Sequence, residues 1–334
     1  MALSVANLSN KPVPFGGIYT PLNRSALVGL IRVMAVRNGG TGQSRAAREY
    51  TREGNGILDE NTLSALNRNG MQTSNDLKNR IEAALKNAVS SSHKIEFVIL
   101  SPPTDLMSVL EANPELAKGI GHIYVMGGWV EAKNASGEVE LRSTYNWNMD
   151  PVSSAKLLSI KDVPMTLYSS HIIKPNFAGG SVNASNFPAI IDAIDRMQSP
   201  AMDSFKSAGL SWDTHLIEKI PVLKGVIGEN AGKQFTPADP LVAVGIANPK
   251  LITSSVQVDV SLELGNVDPN RGYKVNVNEN GGSNIRLVTG IDTAVFQKEL
   301  LGSLREIERS YRQTKYRDNK GGAGNLCSRL FSGN

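Results

Sequence analysis

Cysteine is almost absent from this chain: Cys327 is the only one. A disulfide within the chain and a cysteine-ligated zinc site are therefore both excluded, and the usage fits a reducing compartment. The opening stretch, MALSVANLSNKPVPF, has no basic n-region and no unbroken apolar segment of signal-peptide type. The expected location is the cytoplasm, with export lacking an N-terminal signal left open. No run approaches the ~20 apolar residues that span a bilayer, so no membrane partner is expected. Aromatic residues make up only 6% of the chain. The basic residues near its end (Arg305, Arg309, Arg312, Lys315, Arg317, Lys320) are interleaved with just Tyr311 and Tyr316. A nucleic-acid groove needs more aromatic surface than that, so no nucleic-acid partner is expected either. The formal charge of +4 then reflects a solvated helix and a polar tail.

Phosphate-cradling loops are missing too. NGGTGQS (residues 38–44) follows no convincing strand and lacks the G-x-G-x-x-G spacing of a dinucleotide site. GENAGKQ (residues 228–234) is one residue short of a Walker loop and ends in Gln where Ser or Thr is needed. Both read as surface loops.

What is present is a regular alternation of segments from about residue 74 onward. Leu77, Ile81, Leu85 and Val89 recur every four residues and mark one apolar helical face. Residues 95–100 then form a short apolar run of buried-strand type, closed by Pro102 and Pro103. A helix carrying Leu106, Val109 and Leu110 stops near Asn113-Pro114, and HIYVM (residues 122–126) is a second strand closed by Gly127-Gly128. Asp150 and Pro151 open a further helix as N-cap and first helical residue. Residues 165–168 give a third strand. Continuous apolar strands separated by helices indicate a parallel sheet covered on both faces. In the C-terminal third, residues 256–264 and 273–277 alternate like half-exposed strands, residues 284–288 join them, and Asp292 caps a long helix reaching about Thr314. With no repeat and no linker, residues 1–314 read as one domain. Residues 315–334 read as a disordered, basic, Gly-rich tail.

Three strand-to-helix handovers carry the chemical information: SPPTDL (residues 101–106), YVMGG (residues 124–128) and TYNWNMDP (residues 144–151). Ligands of open α/β sheets bind outside the carboxyl ends of the strands, so these loops face one crevice. In this order they resemble the inosine-uridine preferring nucleoside hydrolase family. FVILSPPTDLMSVLEANPELAKGIGHIYVMGG is similar to that family's strand, G-P-L-T-N turn, helix and strand ending in M-G-G. TYNWNMDPVSSAKLL resembles its E-F-N-x-x-x-D-P-x-A-A segment, FTPADPLVAV (residues 235–244) its H-D-P-L-A-x-A segment, and VPFGGIYTPL (residues 13–22) its V-x-x-G-x-x-x-P-L stretch. The likeness extends over roughly residues 12–310.

The resemblance implies an α/β fold, with a mostly parallel Rossmann-like sheet, helices on both faces and an irregular C-terminal part with a few extra strands. It also implies a chemistry, hydrolysis of the N-ribosidic bond of nucleosides. In the family, a calcium ion held by an N-terminal D-x-D-x-x-x-D-D cluster positions a water, an aspartate takes its proton, and the hydroxide attacks C1′ of the ribose. An oxocarbenium-like transition state needs such a poised nucleophile and nearby carboxylates. This chain has no Asp-Asp pair at all. The calcium contacts that the resemblance carries over are the backbone carbonyl of Thr104 and the carboxylate of Asp239, against the ~6–8 oxygens calcium takes. Asp239 reads equally well as an N-cap before Pro240. The calcium of the family is thus expected to be weakened or lost.

For the sugar, the resemblance assigns Asn146 and Met126 as matching residues. Thr144 stands in place of the family glutamate that grips the hydroxyls, and Glu138 in place of an asparagine. Ala238 replaces a histidine that protonates the leaving base, and Asn38 replaces another family histidine. His171, just after the third strand, is the one general-acid candidate, because histidine titrates near neutrality; its plainer reading is a solvated loop residue. Trp147 lies in the right loop to stack on a base but reads first as packing.

Three outcomes follow. The chain is an N-ribosyl hydrolase without its metal-binding segment, or a catalytically silent relative binding a nucleoside, another ribosylated ligand or a protein partner. The third is a hydrolase with altered chemistry around His171, Glu138 and Asp239. The changes at Thr144, Glu138 and Ala238 favour the silent relative. The family's first strand, which lies mid-sheet, is expected to be missing, so residues 1–70 (with the apolar ALVGLIRVMAV, residues 26–36) or another chain, a second copy included, must fill its place.

Overall fold

In the computed structural model, the structure describes residues 13–15, 18–20, 74–100, 102–134, 136–169, 172, 188–197, 238–268, 272–279 and 284–320. Two short strands, β1 (Val13–Phe15) and β2 (Ile18–Thr20), form a separate antiparallel pair. The main body begins with helix α1 (Ser74–Ser91), strand β3 (Ile95–Ile99), helix α2 (Thr104–Ala112) and strand β4 (Ile120–Met126). A hairpin follows, β5 (Trp129–Lys133) and β6 (Val139–Ser143), then helices α3 (Tyr145–Met149) and α4 (Pro151–Leu158). Strand β7 (Met165–Tyr168), helix α5 (Pro188–Arg196), helix α6 (Ala238–Ala247) and strand β8 (Ile252–Asp268) come next. Strands β9 (Gly272–Asn278) and β10 (Ile285–Ile291) lead to helix α7 (Thr293–Lys320).

Eight strands form one sheet in the order β3-β4-β7-β10-β8-β9-β6-β5. The pairs β3–β4, β4–β7 and β7–β10 are parallel, and every pair beyond β10 is antiparallel. The division follows from the residues. All four residues of β7 are buried, as a central parallel strand with helices on both faces requires. Strand β9 alternates buried and more exposed positions, as a sheet with one wet face does. β10 belongs to both regimes: Ile285 lies beside Met165 of β7 on one side and Val258 of β8 on the other.

Each sheet face has its own core. Helices α1, α2 and α4 cover one face, closing over Phe97, Ile99, Ile123, Val125, Leu167 and Leu287. Helices α6 and α7 cover the other, where Phe296, Leu300 and Leu304 reach zero exposure beside Tyr168 and Val288. Burying each such side chain stabilises by ~1.5–3 kcal/mol. Helix α6 is apolar all round, with Pro240 to Gly245 buried without a break, and it behaves as an interior helix.

Several sequence expectations need adjustment. On α1 the inward set is Ile81, Leu85 and Ala88, while Val89 is 41% exposed. A strict four-residue repeat outruns the 3.6-residue turn, so its last member rotates off the buried face. Residues 284–288 do join the C-terminal strands, but they also pair with β7 and so carry the parallel sheet onward. The β5–β6 hairpin was not foreseen, and the supposed loop before Asp150 contains the short helix α3. Helix α7 continues to Lys320, beyond Thr314. Asp292 caps it as expected, Oδ1 accepting from the amides of Ala294 (2.9 Å) and Val295 (3.0 Å). No helix among the described residues is long and apolar enough to cross a membrane.

Asp150 ties two of these elements together. Its Oδ1 accepts from Ser153 N at 3.0 Å, the N-cap bond of α4, and its Oδ2 accepts from Thr104 Oγ1 at 2.6 Å at the start of α2. The aspartate is buried, at 7% exposure, and Thr104 is half-buried. Asp150→Ala is expected to destabilise the protein by about 2–3 kcal/mol, adding the cap to a charge-assisted hydrogen bond. In urea denaturation the Thr104→Val penalty should shrink when Asp150 is already alanine; strict additivity of the two would disprove the link.

Candidate functional site

The carboxyl ends of the parallel strands converge on the turn Met126-Gly127-Gly128. Gly127 N donates to Tyr168 O (3.2 Å), holding the turn against the end of β7. The turn is enclosed so tightly that only glycine fits. A Cβ on Gly127 would lie 2.5 Å from Trp147 Nε1, and one on Gly128 would strike the side chain of Ser169. Gly128 also has φ of +140°, a conformation that side-chain-bearing residues avoid.

The segment after β6 closes over this turn. Thr144 donates twice to the carbonyl of Gly128, from its amide (2.9 Å) and from Oγ1 (3.1 Å). Asn146, 8% exposed, turns its amide nitrogen toward three acceptors: Leu100 O (3.3 Å), Met126 O (3.2 Å) and Met126 Sδ (3.2 Å). It thereby bridges the ends of β3 and β4. Two residues on, Asn148 Nδ2 donates to Ser143 O (3.0 Å), and Ser143 Oγ donates back to Asn148 Oδ1 while accepting from Tyr273 N (2.8 Å). Helix α3 is therefore anchored both to the hairpin and to β9. Trp147, 1% exposed, packs in the core in tilted contact with Trp129, ring centroids 6.4 Å apart.

The structure thus brings Met126, Thr144, Asn146 and, through Asp150, Thr104 to one place. Glu138 lies elsewhere. It is exposed in the hairpin turn, where it receives Asn134 Nδ2 (2.9 Å) and gives its amide to Asn134 Oδ1 (2.9 Å). The register pairs Trp129 with Ser143 and Lys133 with Val139, so Glu138, six residues before Thr144, stands about 20 Å from it along the strand, at ~3.4 Å per residue. Asp239 is half-buried in the first turn of α6 and not at its N-cap, a position where negative charge suits the helix dipole. His171, Asn38 and the segment 26–36 lie outside the described residues.

The calcium contacts that the resemblance carries over are the Thr104 carbonyl and the Asp239 carboxylate. The Thr104 hydroxyl is turned to Asp150. Among the described residues no three His, Cys, Asp or Glu side chains gather where they could hold a metal. One carboxylate and one carbonyl fall short of the ~6–8 oxygens that calcium requires.

Sequence reasoning missed Tyr168 and Ser169. Both have zero exposure, and neither Tyr168 Oη nor Ser169 Oγ has a hydrogen-bond partner among the described residues. Burial holds the Tyr168 phenol far above the ordinary tyrosine range, with Tyr124 adding to the effect and Arg286 opposing it. Its ring ends against Gly245 of α6, where any Cβ would collide with the phenol oxygen. The sequence signal was the polar end of the apolar strand MTLY facing a glycine in an otherwise bulky helix. Nearby, His122 Nε2 lies 2.9 Å from Thr166 Oγ1 on the same sheet face, and burial is the main cause lowering its pKa.

Gly128→Ala is expected to destabilise by about 2–4 kcal/mol through strain and collision. Tyr168→Phe should change stability by less than about 1 kcal/mol, because the lost hydroxyl leaves no partner unpaired. The same change should recover part of the damage from Gly245→Ala. Chemical denaturation checks all three, and a loss of several kcal/mol in Tyr168→Phe would reveal a partner for that hydroxyl.

Comparison with known proteins agrees with this arrangement. A plant nucleoside hydrolase superposes with a TM-score of 0.53 over 91% of this chain and 94% of its own, at 14% identity. A purine-preferring ribonucleoside hydrolase from Gardnerella vaginalis gives 0.49 at 14% identity, over 69% of this chain and 66% of its own, just under two thirds of that relative. An inosine-uridine preferring nucleoside hydrolase from Bacillus anthracis gives 0.45 at 12% identity, over 92% and 95%. No curated protein sequence matches the chain. Residues 2–298 match the family profile itself, and with the M-G-G turn, the Asn146 segment and the mixed sheet in place, the chain belongs to the inosine-uridine preferring nucleoside hydrolase family.

Proposed function

We propose that this chain is a nucleoside-hydrolase relative whose power to hydrolyse the N-ribosidic bond is impaired or lost. The observation that carries this reading is the inward commitment of polar side chains around the crevice. Thr144, at the position of the sugar-gripping glutamate, directs its hydroxyl to Gly128 O, and the Asn146 amide nitrogen is taken up by main-chain carbonyls. A threonine hydroxyl can neither accept two sugar hydroxyls as a carboxylate does nor place negative charge beside a cationic sugar ring. Ala238 has no proton to offer a departing base. The scarcity of gathered acids among the described residues argues the same way, because an oxocarbenium-like transition state depends on carboxylates close to the developing charge. No calcium dependence is proposed.

A second reading is that the crevice still accepts a ribosyl ligand without breaking it. Its support is Asn146 Oδ1, which makes no hydrogen bond among the described residues, next to a half-buried Met126 at the end of β4. A glycosyl ligand would then be recognised by one amide oxygen and an apolar wall, with low affinity. A protein partner remains the third course, favoured by no contact described above.

Incubation with inosine, uridine and p-nitrophenyl riboside, with and without calcium, separates these readings. The expected result is little or no release of base or nitrophenol above the uncatalysed rate. Turnover abolished by a chelator and restored by calcium would sink the proposal. Thermal shift with ribose and inosine then decides whether binding survives.

A further inference from the structure

We infer that Asn146 is a positioning residue: its side-chain amide clamps the carboxyl ends of β3 and β4 together and so sets the Met126-Gly128 turn. This inference does not depend on whether the crevice hydrolyses anything. It rests on three observations. The amide nitrogen stands within 3.3 Å of main-chain carbonyls on two different strands, Leu100 just past β3 and Met126 at the end of β4. Asn146 itself is buried, at 8% exposure, so its amide meets these carbonyls out of bulk water. The residue is also aimed by its own support. Helix α3 is fixed two residues later by the exchange between Asn148 and Ser143, and two residues earlier by the two hydrogen bonds that Thr144 donates to Gly128 O.

A serine or threonine at this position could reach one carbonyl but not two. An aspartate would present oxygen lone pairs to oxygen. Only a primary amide of this length supplies two donors from one nitrogen. Glutamine has the donors but one methylene too many for an enclosed site. The clamp acts on the turn through geometry: with the end of β4 fixed, Gly127 N meets Tyr168 O and Gly128 O meets Thr144.

Amide hydrogen exchange on the intact chain tests this. In Asn146→Ala, the amides of Gly127 and Thr144 are expected to exchange at least about tenfold faster, while those of Leu167 and Leu287, deep in the sheet, stay within about twofold. Equal acceleration at all four positions, or none at Gly127 and Thr144, overturns the inference. Asn146→Asp provides the second arm should the alanine variant fail to fold. A protonated acid can donate to one carbonyl and a carboxylate to none, so its melting-temperature deficit relative to the parent should narrow between pH 7.5 and pH 4.5. The sign follows from a carboxyl whose pKa is raised in the fold by facing carbonyl oxygens: its protonated form is favoured there, and stability returns as pH falls. A deficit that does not change with pH refutes the clamp.

Discussion

A parallel sheet ends in main-chain carbonyls that have no further strand to pair with, and any of these shut away from water has to meet a donor from elsewhere in the chain. In this protein much of the architecture around the strand ends is an answer to that requirement. The ends of β3 and β4 are met by one asparagine, the carbonyl after the double glycine by a threonine, and the end of β7 by a glycine amide. The asparagine and the threonine sit on a single stretch between a hairpin and a helix. That stretch is in turn pinned by Ser143, Asn148 and Asp150. Without it the two glycines could not be packed against Trp147 and Ser169, because nothing would hold the turn at that separation.

Most of the parallel half was legible in the sequence. Strand β7 has the limits read from MTLY, α2 and α4 stop and start at their proline and aspartate signals, and the resemblance in M-G-G and D-P located the strand ends. These features are written in local chemistry: apolar runs, prolines and caps. What escaped notice depends on partners distant in the chain. The WVEAK and VELRS strands are too mixed in polarity to stand out, and only their pairing across an Asn-to-Gly turn makes them a hairpin. The burial of Tyr168 depends on Gly245, far along the chain, offering space for its ring. The candidate site was legible only in outline. Pattern placed Thr144, Asn146 and Met126 together, but it could not show that their polar atoms face inward. Nor could it show that Glu138 stands at the remote end of a hairpin.

Belonging to the family and performing its reaction are separate questions. The scaffold of a nucleoside hydrolase is shared with a plant relative at 14% identity. Chemistry demands more, because a charged transition state needs particular acids at particular distances. Thr144 and Ala238 stand where the resemblance places groups that a substrate would meet. A fold maintained by main-chain hydrogen bonds and apolar faces does not by itself fix the reaction it hosts.

Strand β10 carries a consequence for how the molecule comes into being. It lies between β7 and β8, so Ile285 must reach Met165 before the inner sheet is complete. On a ribosome adding ~5–20 residues per second, β3, β4 and β7 emerge well ahead of the strand that seals them. For several seconds the nascent chain exposes an unpaired β7 edge, lined by some of the most apolar side chains of the protein. Such an interval is long enough for other sticky chains to compete for that edge, and the order of synthesis itself becomes a hazard that chaperones have to cover.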